Sequence, residues 1–154
     1  MKKIALASLL ALAAVATTAQ AVEVGVVGGT DYLNGGYNRG TAGLTIGQHF
    51  GDFSVSAEAL RETRNNTNKY NLLAGYDFAK FGSATFNVKA GVAYIDNGTI
   101  TNHSDRYAGV VGAGVSIPVT SKINATVDYR FTDTKDSVTG FQGNTVLVGA
   151  QYSF

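Results

Sequence analysis

From Val146 to the final Phe154 every second residue is apolar: Val146, Val148, Ala150, Tyr152 and Phe154. A period of two is the signature of an extended strand with one apolar face, because successive side chains point to opposite sides of the sheet. The pattern recurs along the chain, and recurrence constrains the fold more than any single strand does. Val22, Val24 and Val26 open the series, followed by Ala42, Leu44 and Ile46 in a strand running to Phe50. A third segment carries Phe53, Val55, Ala57 and Ala59, and a fourth Tyr70, Leu72, Ala74, Tyr76 and Phe78. The fifth has Ala84, Phe86, Val88, Ala90, Val92 and Tyr94, the sixth Tyr107, Val111, Ala113, Val115 and Ile117, and the seventh Ile123, Ala125, Val127, Tyr129 and Phe131. Eight such strands predict an all-β chain with one continuous apolar face.

The connections alternate in length. Gly51-Asp52, Ala79 to Ser83 and Pro118 to Lys122 are short, whereas Gly28 to Arg39, Arg61 to Lys69, Ile95 to Arg106 and Thr132 to Gly143 are longer and polar. Short turns on one side and long loops on the other describe an antiparallel up-and-down barrel that crosses a membrane, and an even strand number brings both termini to the turn side. Aromatic residues on the outward parity sort by end. Tyr70, Tyr94, Tyr107 and Tyr129 fall toward the loops, and Phe50, Phe53, Phe78, Tyr152 and Phe154 toward the turns. Two interfacial girdles are expected on a membrane barrel, whereas the core aromatics of a soluble sandwich need not sort this way.

The N-terminus has the parts of an export signal: Lys2 and Lys3, an apolar stretch from Ile4 to Ala16, and the small-x-small sequence Ala19-Gln20-Ala21. The apolar stretch is shorter than the roughly 20 residues a spanning helix needs. Residues 1–21 are therefore expected to be removed, leaving 22–154 as one barrel domain. The mean hydropathy of +0.05 is what an apolar outside and a polar inside would average to. One Pro and 19 Gly suit strands and turns, the absence of Cys excludes a disulfide framework, and a formal charge of +1 gives no reason to expect nucleic acid.

The N-terminal segment, the eight alternating strands, the alternation of turn and loop, and the closing Val-Gly-Ala-Gln-Tyr-Ser-Phe together resemble the small outer-membrane barrels of the OmpA and OmpX type, over the whole of residues 22–154. The resemblance implies residence in the outer membrane, with lipid and lipopolysaccharide as surroundings and both termini in the periplasm. It further implies that Tyr152 and Phe154 belong to a signal recognised by the barrel-assembly machinery. With no residues following the barrel, anchoring to peptidoglycan of the OmpA kind is not expected.

The inward parity describes the lumen. An interior of eight strands is only wide enough to be filled by side chains or to hold one small ligand. Gly25, Gly43, Gly47, Gly75, Gly91, Gly112, Gly114 and Gly149 fall on this side, where a missing side chain eases curvature and makes room for larger neighbours. Glu58, Lys89 and Asp128 each lie five residues beyond the start of an ascending strand, and Arg130 sits one layer above. Charges in a poorly hydrated interior must be paired, so the four are expected to form a lumen salt-bridge network in which Lys89 bridges Glu58 and Asp128. Asp77 and Glu23 are expected to form a separate layer near the turns, where His49 is also expected.

No catalytic, cofactor or metal site is expected. The two histidines, His49 at a turn and His103 beside Ser104 in a loop, lie too far apart for a shared metal. Even in an extended loop, adjacent His103 and Ser104 would point to opposite faces, unlike the His-x-Ser pair of outer-membrane deacylases. Arg61, Arg64 and Lys69 give the second loop a positive bias suited to anionic lipopolysaccharide or a host surface, and Tyr32, Tyr37 and Phe141 offer loop aromatics to a protein partner. Two functions follow. One is a non-enzymatic barrel with a filled lumen serving envelope integrity, surface interaction or adhesion; the other is a narrow channel for ions or a small solute.

Overall fold

A computed structural model of the chain describes residues 22–33, 38–63, 67–96, 106–133 and 143–154. Residues 1–21, with the expected export signal, lie outside the described residues. Eight strands follow in order: β1 (Val22–Leu33), β2 (Asn38–Phe50), β3 (Phe53–Glu62), β4 (Asn68–Phe81), β5 (Ala84–Asp96), β6 (Arg106–Pro118), β7 (Ile123–Asp133) and β8 (Gly143–Ser153). Each pairs antiparallel with its sequence neighbours, and β1 pairs with β8, so the sheet closes on itself. No edge is left bare, which is what a spanning sheet requires where water cannot satisfy the backbone.

The register fixes the shape. Stepping laterally from Glu23 leads through Gly47, Ser56, Leu73, Gly91, Val110, Thr132 and Gly143 and returns to β1 at Leu33. The circuit closes ten residues above its start, from 23 to 33, and a stagger of this size in eight strands tilts them by about 40° to the barrel axis.

At one end the connections are tight. Gly51 and Gly82 adopt φ of 68° and 61°, in the left-handed region that two-residue hairpins demand. The third turn is held by Thr120, whose hydroxyl accepts the backbone N–H of Lys122 at 3.2 Å and of Ile123 at 3.0 Å.

Two connections differ most from the sequence expectation. The expected loop from Gly28 to Arg39 is mostly strand: β1 runs on to Leu33 and β2 begins at Asn38, because pairing to β8 and β2 outweighs the poor strand propensity of Gly28 and Gly29. The expected turn from Ala79 to Ser83 shortens to Gly82-Ser83. Asp77 pairs with Asn87 but Ala79 pairs with Phe86, so Phe78 is the extra residue of a β-bulge. Beyond the bulge the parity reverses, which keeps Phe81 on the outside although it is odd-numbered.

Outside, Val24, Leu44, Leu72, Val92, Val111, Val127 and Val148 form an exposed apolar belt around the barrel, the kind of patch that marks a lipid or partner surface. Inside, the apolar side chains gather into two clusters, Leu73, Ala93, Ile95, Ala108 and Val110 on the β4–β6 wall and Val27, Leu60 and Leu147 on the wall of β1, β3 and β8.

Candidate functional site: the lumen

The middle of the barrel holds the four charged residues singled out from the sequence. Arg130 on β7 is their hub. Its Nη2 donates to Glu58 Oε1 at 2.8 Å and to Asp128 Oδ2 at 3.3 Å, while its Nη1 donates to Glu58 Oε2. Lys89 Nζ donates to Asp128 Oδ1 at 2.6 Å, and Asn71 Nδ2 to Glu58 Oε2 at 3.0 Å. The expectation that Lys89 bridges both acids is thus corrected: Lys89 meets Asp128 alone, and Arg130 spans the pair. The reason lies in the side chains. A planar guanidinium offers donors along two edges and grips one carboxylate with both nitrogens while reaching a second, whereas an ammonium is a point donor. With Arg130 at 2% relative exposure, two acids and two bases balancing to zero is the condition under which burial is tolerable. Gly112 makes the room. A side chain there would bring Cβ to 2.9 Å from Arg130 Cγ and 2.6 Å from the Tyr129 carbonyl.

Above this layer, toward the loops, lies a second polar set that the sequence reading did not assemble. Arg39 Nη1 pairs with Glu62 Oε1 at 3.0 Å, Lys69 Nζ donates to Thr132 Oγ1 at 2.6 Å, and Thr145 Oγ1 donates to Asp31 Oδ1. Lys69, expected as an exposed member of loop two, is 5% exposed and belongs to the lumen. The signal was available: β4 alternates about Tyr70 and Leu72, so Lys69 and Asn71 must both turn inward. Arg61 remains on the exposed side, while Arg64, His103, Ser104, Tyr37 and Phe141 lie outside the described residues.

Below the network the lumen widens into a polar vestibule of about 240 Å³, lined among others by Lys89, Asp128, Asn87 and Thr126. At its turn-side mouth stand Glu23, His49 and Asp77. His49 Nε2 lies 3.3 Å from Glu23 Oε2 and its Nδ1 3.9 Å from Asp77 Oδ2, and Ser153 Oγ donates to Glu23 Oε1 at 2.9 Å. Glu23 and Asp77 do share a layer, as the parity implied, with the imidazole between them. Among the described residues no three His, Cys, Asp or Glu side chains are grouped to hold a metal ion.

On the outer surface Tyr70, Tyr94 and Tyr107 form a continuous ladder across β4, β5 and β6, with ring centroids 6.4 and 5.3 Å apart. Tyr129 stands lower. It lies opposite Ala113, its hydroxyl donates to Asn144 Oδ1 at 2.6 Å, and Phe131 lies between it and the end of β7. At the other end Tyr152 and Phe154 meet edge to face at 5.0 Å, and the Phe154 N–H donates to the Val22 carbonyl at 3.1 Å.

No protein-family model matches the chain, and no curated protein matches it in sequence. Solved structures do. The N-terminal β-barrel domain of OprF from Pseudomonas aeruginosa superposes with a TM-score of 0.71 at 18% identity, over 88% of this chain and 98% of that one. Ail, the attachment invasion locus protein of Yersinia pestis, gives 0.60 at 15% identity, over 88% and 97%. Neisserial surface protein A gives 0.56 at 18% identity, over 87% and 96%. With its closed circuit of eight antiparallel strands, this chain has the fold of the small eight-stranded outer-membrane β-barrels.

Proposed function

We propose that this protein is a non-enzymatic integral outer-membrane barrel whose lumen is closed by its own side chains and whose work is done at its surface, in envelope integrity, surface interaction or adhesion. The observation that carries the reading is the stacking of the interior. The Glu58, Arg130, Asp128 and Lys89 network spans the lumen above the vestibule, the two apolar clusters pack beside it on the barrel walls, with Leu147 opposite Asp128, and the Arg39–Glu62 pair lies nearer the loops. A solvated ion passing this stack would have to displace paired, desolvated charges. The apolar belt and the tyrosine ladder support residence in lipid, with residues 1–21 as the export signal and both termini in the periplasm. Tyr152 and Phe154 serve as the assembly signal, and outer-membrane lipid and lipopolysaccharide are the immediate partners.

For a surface ligand the support is the exposed Arg61 together with a precedent in the same fold, since Ail has been solved in complex with the heparin analogue sucrose octasulfate. A sulfated or phosphorylated glycan is the class of partner that Arg side chains of the loop rim would take. The vestibule favours a second reading, a narrow conductance opened when Arg130 and Lys89 exchange acids. Purified protein in planar bilayers separates the two. Silence across a range of voltages is expected; stable single-channel steps that vanish in Arg130→Met would replace the first reading with the second.

A further inference from the structure

The mouth of the vestibule contains an imidazole held between two acids on different strands. A neutral imidazole carries a single N–H, so it donates to one acceptor and turns a lone pair toward the other; only the imidazolium donates from both nitrogens. His49 presents Nε2 to Glu23 on β1 at 3.3 Å and Nδ1 to Asp77 on β4 at 3.9 Å. Both acids are largely buried, with side-chain exposures of 13% and 12%, and Glu23 is fixed further by Ser153 of β8. The other charged group facing the cluster is Lys89 on β5, which is engaged by Asp128, while β3 offers only Ser54 opposite His49. Asp52 and Lys80, 3.9 Å apart, form an exposed pair on the rim outside.

We propose that His49 is a protonation latch on the turn-side mouth: as the imidazolium it ties β1 to β4 across the opening, and on losing its proton it lets go of Asp77 and opens the vestibule. Glu23 keeps the shorter contact, so the Asp77 carboxylate is the arm that swings, by side-chain rotation, while the Asp77 N–H stays on the Asp52 carbonyl at 2.7 Å. The device depends on the barrel and its vestibule, and holds whether the lumen above conducts or is closed.

The chain contains no cysteine, so a single introduced thiol reports without background. Thr126 is buried and lines the vestibule, whereas Ser121 is exposed in the third turn and does not. Folded Thr126→Cys protein in lipid nanodiscs is treated with methyl methanethiosulfonate, a small neutral reagent, from pH 5 to pH 8. Its rate is divided by that of Ser121→Cys to remove the ionisation of the thiol. The ratio is expected to rise about tenfold across the range, as loss of one charge-assisted contact allows. Adding His49→Gln should flatten it. A flat ratio in the Thr126→Cys chain, or the same rise with His49→Gln, overturns the latch. A second measurement does not need the His49 variant to fold. With His103→Gln leaving one histidine, the ring-nitrogen resonances of His49 must change from doubly to singly protonated over the pH range in which access changes, and titration outside that range overturns the proposal equally.

Discussion

Among single residues, Arg130 carries the most consequence. Removing its charge leaves Glu58 and Asp128 facing each other without the cation that spans them, so Arg130→Met should lower stability by about 3 to 5 kcal/mol. Lys89→Met should cost less, about 1 to 2 kcal/mol, because Asp128 retains Arg130. Lys69→Met should be close to neutral or stabilising, since it replaces a buried ammonium held by the Thr132 hydroxyl with an apolar chain of similar length. Denaturant midpoints in lipid check all three, with Lys80→Met as the exposed control; equal midpoints for Arg130→Met and Lys80→Met would mean that the lumen is hydrated. The membership of Glu58, Lys89, Asp128 and Arg130 in one region was legible from strand parity and distance along each strand. Which cation bridges which acid was not, because it depends on side-chain reach across the lumen, a quantity that parity does not contain. Lys69, Arg39 and Glu62 were legible in principle, since each continues the inward parity of its strand beyond the point where the apolar alternation gives out.

At the level of elements, β4 and β8 differ in how far the period of two describes them. In β8 the alternation runs unbroken to the terminus, and the structure closes it with the Ser153 N–H on the Lys122 carbonyl at 2.8 Å and the Phe154 N–H on Val22 at 3.1 Å. Phe154→Ser removes an interfacial aromatic and one half of the ring pair with Tyr152. It should reduce the amount of folded barrel in the outer membrane more than a polar change in a loop does, which quantitative fractionation measures. In β4 the apolar neighbours Phe78 and Ala79 mark a reversal that a strict alternation misreads as the end of the strand. Since Phe78 alone stands outside the pairing there, deleting it should leave the ladder with β5 intact and the barrel folded. Deleting Leu72, which pairs with both Ala57 and Val92, would turn half of the strand inside out and abolish folding. If the two deletions are equally damaging, the bulge is part of what specifies the fold. The upper part of β1 escaped the sequence reading for a different reason: Gly28 and Gly29 have little strand preference of their own and are held extended by neighbours on both sides.

For the molecule as a whole, closure predicts resistance to detergent. Unboiled protein should migrate differently from boiled protein on a cold detergent gel, and recovery instead as a soluble periplasmic species would point to a lipocalin-like barrel. The seam between β1 and β8 has a further consequence, for the order in which the chain is made. The bond from Ser153 to Glu23 joins residues 130 positions apart, and the β1–β8 ladder as a whole links the first strand to emerge with the last. Until β8 exists, β1 has no second partner, and each incomplete intermediate carries two raw edges that a bilayer interior will not accept. Folding therefore cannot proceed strand by strand during synthesis. Contacts of such long sequence separation are also the slow ones to form. The chain must be kept extended until its final residue is available, and a truncation of even one strand forfeits the whole barrel rather than an eighth of it.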